Sequence, residues 1–148
     1  GYKGKGIDTI VKQIKSYPFI IPIIGNAKRQ PIWVKDITTL TINLLENEKS
    51  FGKTYDVGGE ESITFKEFVK MTQKELGVKK FILPLPLFLA KTLAKLMEKY
   101  SKKPLFTYEN VCNLVMDENI NLNTLKELGF QSTPLSQALQ EVLKEYKK

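Results

Sequence analysis

In 148 residues the chain has no histidine, one cysteine, one arginine and one tryptophan. Each scarcity excludes something. Without histidine, neither a Ser-His-Asp nor a Cys-His nucleophile can be assembled within the chain, nor can an imidazole-based metal centre. The lone Cys112 forbids an internal disulfide and fits a reducing compartment, read here as the cytoplasm. Long apolar runs are missing too. The longest, Phe81 to Ala90, falls well short of the ~20 residues that span a bilayer, and Pro84 and Pro86 interrupt it. The Gly-Lys-rich beginning has no apolar core behind it, so no signal peptide is expected.

The length is enough for one domain with a real core. A hydrophobic fraction of 42% against 26% charged matches an ordinary globular protein, not a disordered one. The net charge of +7 raises nucleic acid or an acidic membrane surface as partners. The distribution argues against both. The lysines are dispersed along expected helix faces, and the tightest clusters (Lys79-Lys80, Lys102-Lys103, Lys147-Lys148) are only pairs. No RNA-binding aromatic signature or zinc-finger spacing accompanies them. A lysine-rich solvated surface is the expectation, with no nucleic acid and no membrane span.

Along the chain, Gly1-Tyr2-Lys3-Gly4-Lys5-Gly6 imitates a phosphate loop but has no strand before it and the wrong glycine order. It reads as a loop entering a helix over 7–15, with Ile7, Ile10, Val11 and Ile14 on one face. A strand over 20–24 and a Gly25-Asn26 turn follow, then an extended piece over 32–34. Asp36 is expected to cap a helix from Ile37 to about Asn47, whose core face is Ile37, Leu40, Thr41, Leu44 and Leu45. Gly52 to Gly59 reads as a short strand, closed by two glycines where the backbone turns sharply or approaches something closely. Thr64-Phe65-Lys66-Glu67 is a capping box with Ile63 and Phe68 placed as a hydrophobic staple, opening a helix that stops at Gly77.

A strand over 79–83 is broken by Pro84-Leu85-Pro86, which opens the next helix. There Leu89, Leu93, Leu96 and Tyr100 form the expected core stripe, with Lys91, Lys95 and Lys99 on the solvated side. Thr107 can cap a helix carrying Val111, Leu114 and Val115. A short helix over 121–128 closes at Gly129, and Thr133-Pro134 starts the last one, with Leu135, Ala138, Leu139, Val142, Leu143 and Tyr146 at 3.6 spacing. A few short strands among many helices is the pattern of the later part of an α/β protein whose main sheet lies elsewhere.

The stretch from Pro22 to Asp36 holds the only arginine and the only tryptophan. A planar, permanently charged guanidinium on a turn between apolar strands suits a phosphate or carboxylate ligand. It suits pairing with a nearby carboxylate of the chain equally well. The residue types leave both open.

Arg29-Gln30-Pro31-Ile32-Trp33-Val34-Lys35-Asp36 resembles the R-D-Y-I-H-V-x-D segment of the extended and atypical short-chain dehydrogenase/reductase superfamily. Three further pieces follow the superfamily's order: Ile21 to Gly25 before the arginine, and Tyr55-Asp56-Val57-Gly58-Gly59 with Ile63 to Phe68 after it. Near the end, Leu128-Gly129-Phe130-Gln131-Ser132-Thr133-Pro134-Leu135 looks like an L-G-[FW]-x-P-x-x-L signature. The flavour is that of the atypical branch, which includes the Rossmann-like accessory subunit of respiratory complex I.

The resemblance implies the mostly helical, substrate-binding C-terminal part of a Rossmann-type NAD(P)-dependent epimerase/dehydratase-like protein, one domain over 1–148. The N-terminal part, carrying the cofactor loop and a Tyr-x-x-x-Lys pair, would lie outside it. None of the six tyrosines has a lysine four positions on, so no catalysis is expected from this chain alone, and NAD or NADP would be bound by the parent and not by this chain. By the same resemblance Arg29 holds a substrate diphosphate, Pro22, Ile23 and Ile24 line the nucleoside base, and Gln30 and Trp33 complete the substrate site. The ligand implied is a small molecule of the nucleotide-sugar type. Trp33 stands where epimerases have histidine, Gln30 replaces aspartate, and no second arginine follows, which moves weight toward another ligand or a non-catalytic interaction module. With the main sheet elsewhere, the apolar faces of Ile7 to Ile14 and Ile37 to Leu45 are expected to be exposed and to drive homo-oligomerisation.

Overall fold

The computed structural model describes residues 5–20, 26–82, 85–101, 104, 107–113 and 115–147. Among these residues there are seven α-helices: α1 (Lys5–Ser16), α2 (Val34–Leu45), α3 (Phe65–Leu76), α4 (Leu87–Tyr100), α5 (Tyr108–Asn113), α6 (Asn123–Glu127) and α7 (Leu135–Leu143). Four two-residue strands join them: β1 (Phe19–Ile20), β2 (Lys28–Arg29), β3 (Ile63–Thr64) and β4 (Phe81–Ile82). β1 pairs with β4 in parallel, Phe19 opposite Phe81, and β2 pairs with β3 antiparallel, Arg29 opposite Ile63. The mostly helical α/β pattern with a few short strands is as the sequence indicates.

Among the described residues the helices assemble through three apolar contacts, the first of them made of two adjoining clusters. In the largest, Val11 and Ile14 of α1 are buried against α3 and α7, where Val69, Leu135, Leu139 and Leu143 meet them. The expectation that the Ile7 to Ile14 face stays exposed is therefore wrong. α3 and α7, packed on one another, cover it within this chain with their own apolar stripes. The α3 capping box forms in full: the Thr64 hydroxyl accepts from the Glu67 N–H, and the Glu67 carboxylate accepts from the Thr64 N–H at 2.7 Å. Gly77 ends α3 with φ 67°, a left-handed conformation that glycine adopts without steric penalty. Beyond it the buried Gln73 side chain donates to the Lys80 carbonyl and accepts from the Lys80 N–H, both at 3.3 Å, fixing β4 beside the helix.

A second cluster gathers Leu40 of α2, Leu122, Leu125 and Phe130, with Tyr55, Val57 and Ile120 packed around them. Of the expected α2 core face, Leu40 is buried and Leu44 packs on the cluster, but Ile37 is 39% and Leu45 71% exposed. Thr41 is exposed as well, its hydroxyl donating to the Ile37 carbonyl at 2.8 Å. Residues 53–59 form no strand; Tyr55 and Val57 instead reach down into the cluster. The short helix before Gly129 covers only Asn123–Glu127, and Gly129 takes φ 77°.

The third contact reverses an expectation. On α4 the buried residues are Ala90 and Ala94, packed on Val111 of α5. Leu89, Leu93, Leu96 and Tyr100 face outward at 41, 42, 54 and 74% exposure. Small side chains let two helix backbones approach closely, so the alanine edge becomes the contact and the bulky stripe is turned away. Leu83 and Pro84, part of the strand and break expected there, and Leu114 fall outside the described residues.

Candidate functional site around Arg29

β2 lies between two segments. On one side it pairs with β3; on the other, Glu118 N–H donates to the Lys28 carbonyl at 2.9 Å and the Lys28 N–H donates to Asp117 Oδ1 at 2.7 Å. Lys28–Arg29 is thus the extended piece, four residues earlier than the expected 32–34, and Val34 is already helical. The Arg29 guanidinium uses both arms within the chain: Nη1 pairs with the Glu118 carboxylate and Nη2 donates to the Asn113 carbonyl. The side chains of Arg29 and Glu118 are 27% and 44% exposed, so the pair sits at the surface with its outer edge in solvent.

Gln30 works as a clamp. Its amide nitrogen donates to the Gly59 carbonyl at 3.2 Å and to the Ile120 carbonyl at 3.4 Å, and its oxygen accepts from the Ile120 N–H at 2.6 Å. The Gly59 N–H returns a bond to the Gln30 carbonyl at 3.1 Å. A Cβ on Gly59 would stand 2.1 Å from the Pro31 oxygen. The close approach that the two glycines foreshadow is therefore to the chain's own backbone. Trp33 is the residue before α2, extended at φ −79° and ψ 138°, with the Lys35 ammonium 4.7 Å from its ring centroid.

Asp36 does not cap α2. The helix begins at Val34, no side chain caps Trp33, and Asp36 sits inside the first turn. There its carboxylate still complements the positive end of the helix. It accepts two bonds from Thr133, from the N–H at 2.9 Å and from the hydroxyl at 2.6 Å. Residues 113–120 are the part sequence reasoning missed: Asn113, Asp117, Glu118 and Ile120 are the partners of Lys28, Arg29 and Gln30. The adjacent Asp117-Glu118 pair was the available signal, as the closest carboxylates following α5.

Of the sequence-derived site residues, Arg29, Gln30 and Trp33 lie on one short segment, but each side chain has different partners. Pro22, Ile23 and Ile24 fall outside the described residues. A surface groove of about 350 Å³, lined by Lys70, Gln73, Lys74, Gly77, Val78 and Lys79, lies at the far end of α3 from β3. Among the described residues no side-chain group is arranged to hold a metal ion, and no helix is long and apolar enough to cross a membrane.

No model of a known protein family matches the chain. Among curated proteins it is 26% identical over 151 residues to the mitochondrial NADH dehydrogenase [ubiquinone] 1 alpha subcomplex subunit 9 of Dictyostelium discoideum, a match covering 99% of this chain. The chain spans 42% of that relative's length. Its fold is shared by the crystal structure of gox2253, with a TM-score of 0.68 at 18% identity. It is shared too by dTDP-4-dehydrorhamnose reductase from Bacillus anthracis str. Ames, solved with NADP, at a TM-score of 0.61 and 19% identity. Each alignment covers 97% of this chain and 44% of the solved one. The chain is thus similar over nearly its whole length to a part of that complex subunit, and it shares its fold with a part of each of these solved proteins.

Proposed function

We propose that this chain is the C-terminal part of an NAD(P)-binding short-chain dehydrogenase/reductase-like protein, kept as a non-catalytic interaction module. One observation carries the reading: the guanidinium that would hold a substrate phosphate is engaged by Glu118 and the Asn113 carbonyl. Gln30, at the next position, likewise spends its amide on Gly59 and Ile120. The curated relative is by name a subunit of a larger enzyme, which supports a role inside an assembly. NAD or NADP would belong to an N-terminal Rossmann half, since no glycine-rich loop follows a strand among the described residues; the NADP held by the Bacillus anthracis reductase supports that choice of cofactor.

That half is the partner we assign to the outer face of α2, where Val34, Ile37, Ile42 and Leu45 are exposed. In its absence the same face is where two copies of the chain would associate. The single cysteine supports a reducing compartment, and the cytoplasm remains our assignment; the relative's own name places that protein in mitochondria.

A second reading has its own observation. Both partners of the Arg29–Glu118 pair keep an edge in solvent, so a diphosphate can compete for the guanidinium. On this reading the chain is the substrate-binding part of a nucleotide-sugar epimerase, dehydratase or reductase, using Arg29, Gln30 and Trp33 with Pro22, Ile23 and Ile24. Calorimetric titration with a dTDP-sugar at low salt separates the two. No saturable binding at about 1 mM ligand supports the module. Saturable binding that disappears in Arg29→Ala replaces it with the substrate site.

A further inference from the structure

Neither reading uses the outward apolar stripe of α4. Leu89, Leu93, Leu96 and Tyr100 recur at spacings of four, three and four, so they stand in one row along a helix of 14 residues. Phe88, 68% exposed, widens the row at its first turn.

The charge beside this row has one sign. Lys95 and Lys99 are exposed along one edge, with half-buried Lys91 behind them. Tyrosine rings hold them there: the Lys95 ammonium lies 4.9 Å from the Tyr108 ring centroid, and that of Lys99 lies 5.4 Å from Tyr100. The one acid of the helix, Glu98, is turned toward α5, where its carboxylate accepts the Tyr108 N–H at 3.0 Å. An apolar row of leucines and aromatics with a lysine edge and no free acid is the geometry of a helix that lies in a membrane interface.

We propose that α4 is a docking surface for an anionic lipid bilayer, with its leucine row set among the acyl chains and its lysines at the headgroups. Charge decides between occupants. A second copy would bring another lysine-edged face from a chain of net charge +7, whereas anionic headgroups complement both the edge and the whole chain. Dispersed lysines in the sequence concealed this, because the stripe beside them reads as core until its exposure is seen. The inference does not depend on what Arg29 binds.

Co-sedimentation with vesicles of equal parts phosphatidylglycerol and phosphatidylcholine tests it, with pure phosphatidylcholine as the comparison. Binding to the anionic vesicles is expected, falling several-fold when salt rises from about 0.1 to about 0.5 M. Lys95→Glu with Lys99→Glu should weaken it at least about tenfold. Leu93→Asp with Leu96→Asp should abolish it while leaving the circular dichroism spectrum unchanged, since both side chains are already exposed. Absent binding, equal binding to neutral vesicles, or binding indifferent to the α4 substitutions would each overturn the proposal. So would a dimer in sedimentation velocity that the leucine substitutions convert to monomer, which would give the face to a second copy.

Discussion

Asp36 in the first turn of α2 and Thr133 just before α7 are joined by two hydrogen bonds across 97 residues of sequence, at 2.9 Å to the N–H and 2.6 Å to the hydroxyl. The bonds are half-buried and one partner is a carboxylate, so each is of the stronger kind. Asp36→Ala is expected to cost about 2–3 kcal/mol, and Thr133→Val, which keeps the backbone bond, about 1–2 kcal/mol. Urea unfolding of the three proteins checks this. A cost below about 0.5 kcal/mol for Asp36→Ala would mean that the contact does not hold the two helices.

Gly59→Ala should be severely destabilising, because its Cβ would stand 2.1 Å from a backbone oxygen that Gln30 and Ile32 hold from either side. Gly58→Ala is the matched comparison. Its nearest neighbour, at 2.8 Å, is the terminal Cδ1 of Ile120, which can rotate away. The expected losses are above about 3 kcal/mol for Gly59→Ala and about 1 kcal/mol for Gly58→Ala, read from thermal denaturation. Equal losses would refute the assigned close approach.

What the sequence made legible follows from the range of the interactions. The α3 capping box and the stop at Gly77 are set by residues within one turn, and both were readable from type and spacing. The Ile7 to Ile14 stripe was readable as apolar, but not its covering, which depends on where α3 and α7 pack. α4 shows the limit most clearly: ranking by side-chain size points to the leucines, whereas the packing of Ala90 and Ala94 against Val111 chooses the small edge. At the candidate site, Arg29 and Trp33 could be singled out by scarcity, and Gln30 by the resemblance of the segment between them. Asn113 and Glu118, which engage Arg29, and Ile120, which engages Gln30, are more than 80 positions away, beyond what spacing can reach.

The capping box carries a pH signature. Bonds from the Thr64 N–H, then from its hydroxyl, hold the Glu67 carboxyl below its ordinary value of 4.5, with Lys28 and Lys70 assisting. A carboxyl lowered on folding stabilises the fold above its unfolded pKa, and that contribution is lost as pH falls through the lowered folded value. Stability measured from pH 6 down to about pH 3 is therefore expected to decline less steeply in Glu67→Gln than in the parent chain. Thr64→Ala, which removes the cap, should cost about 1 kcal/mol near neutral pH. Parallel pH profiles for Glu67→Gln and the parent chain would remove Glu67 from the acid response.

Glu118 decides whether the Arg29 site is a latch or a guarded binding site. As a latch, the pair fastens Asn113 and Glu118 onto β2, and its surface position limits its worth. Arg29→Ala should then cost only about 1 kcal/mol, and Arg29→Lys nearly as much, because an ammonium cannot span the carboxylate and the Asn113 carbonyl together. Glu118→Gln separates the two roles. It keeps the shape and an acceptor for Nη1, yet removes the charge that competes with an incoming phosphate. If Arg29 retains ligand capacity, Glu118→Gln should bind pyrophosphate at least several-fold more tightly than the parent chain, and Glu118→Gln with Arg29→Ala should lose that gain. Indistinguishable titrations of the parent chain and Glu118→Gln would leave the guanidinium a fastening between two segments, as an interaction module requires.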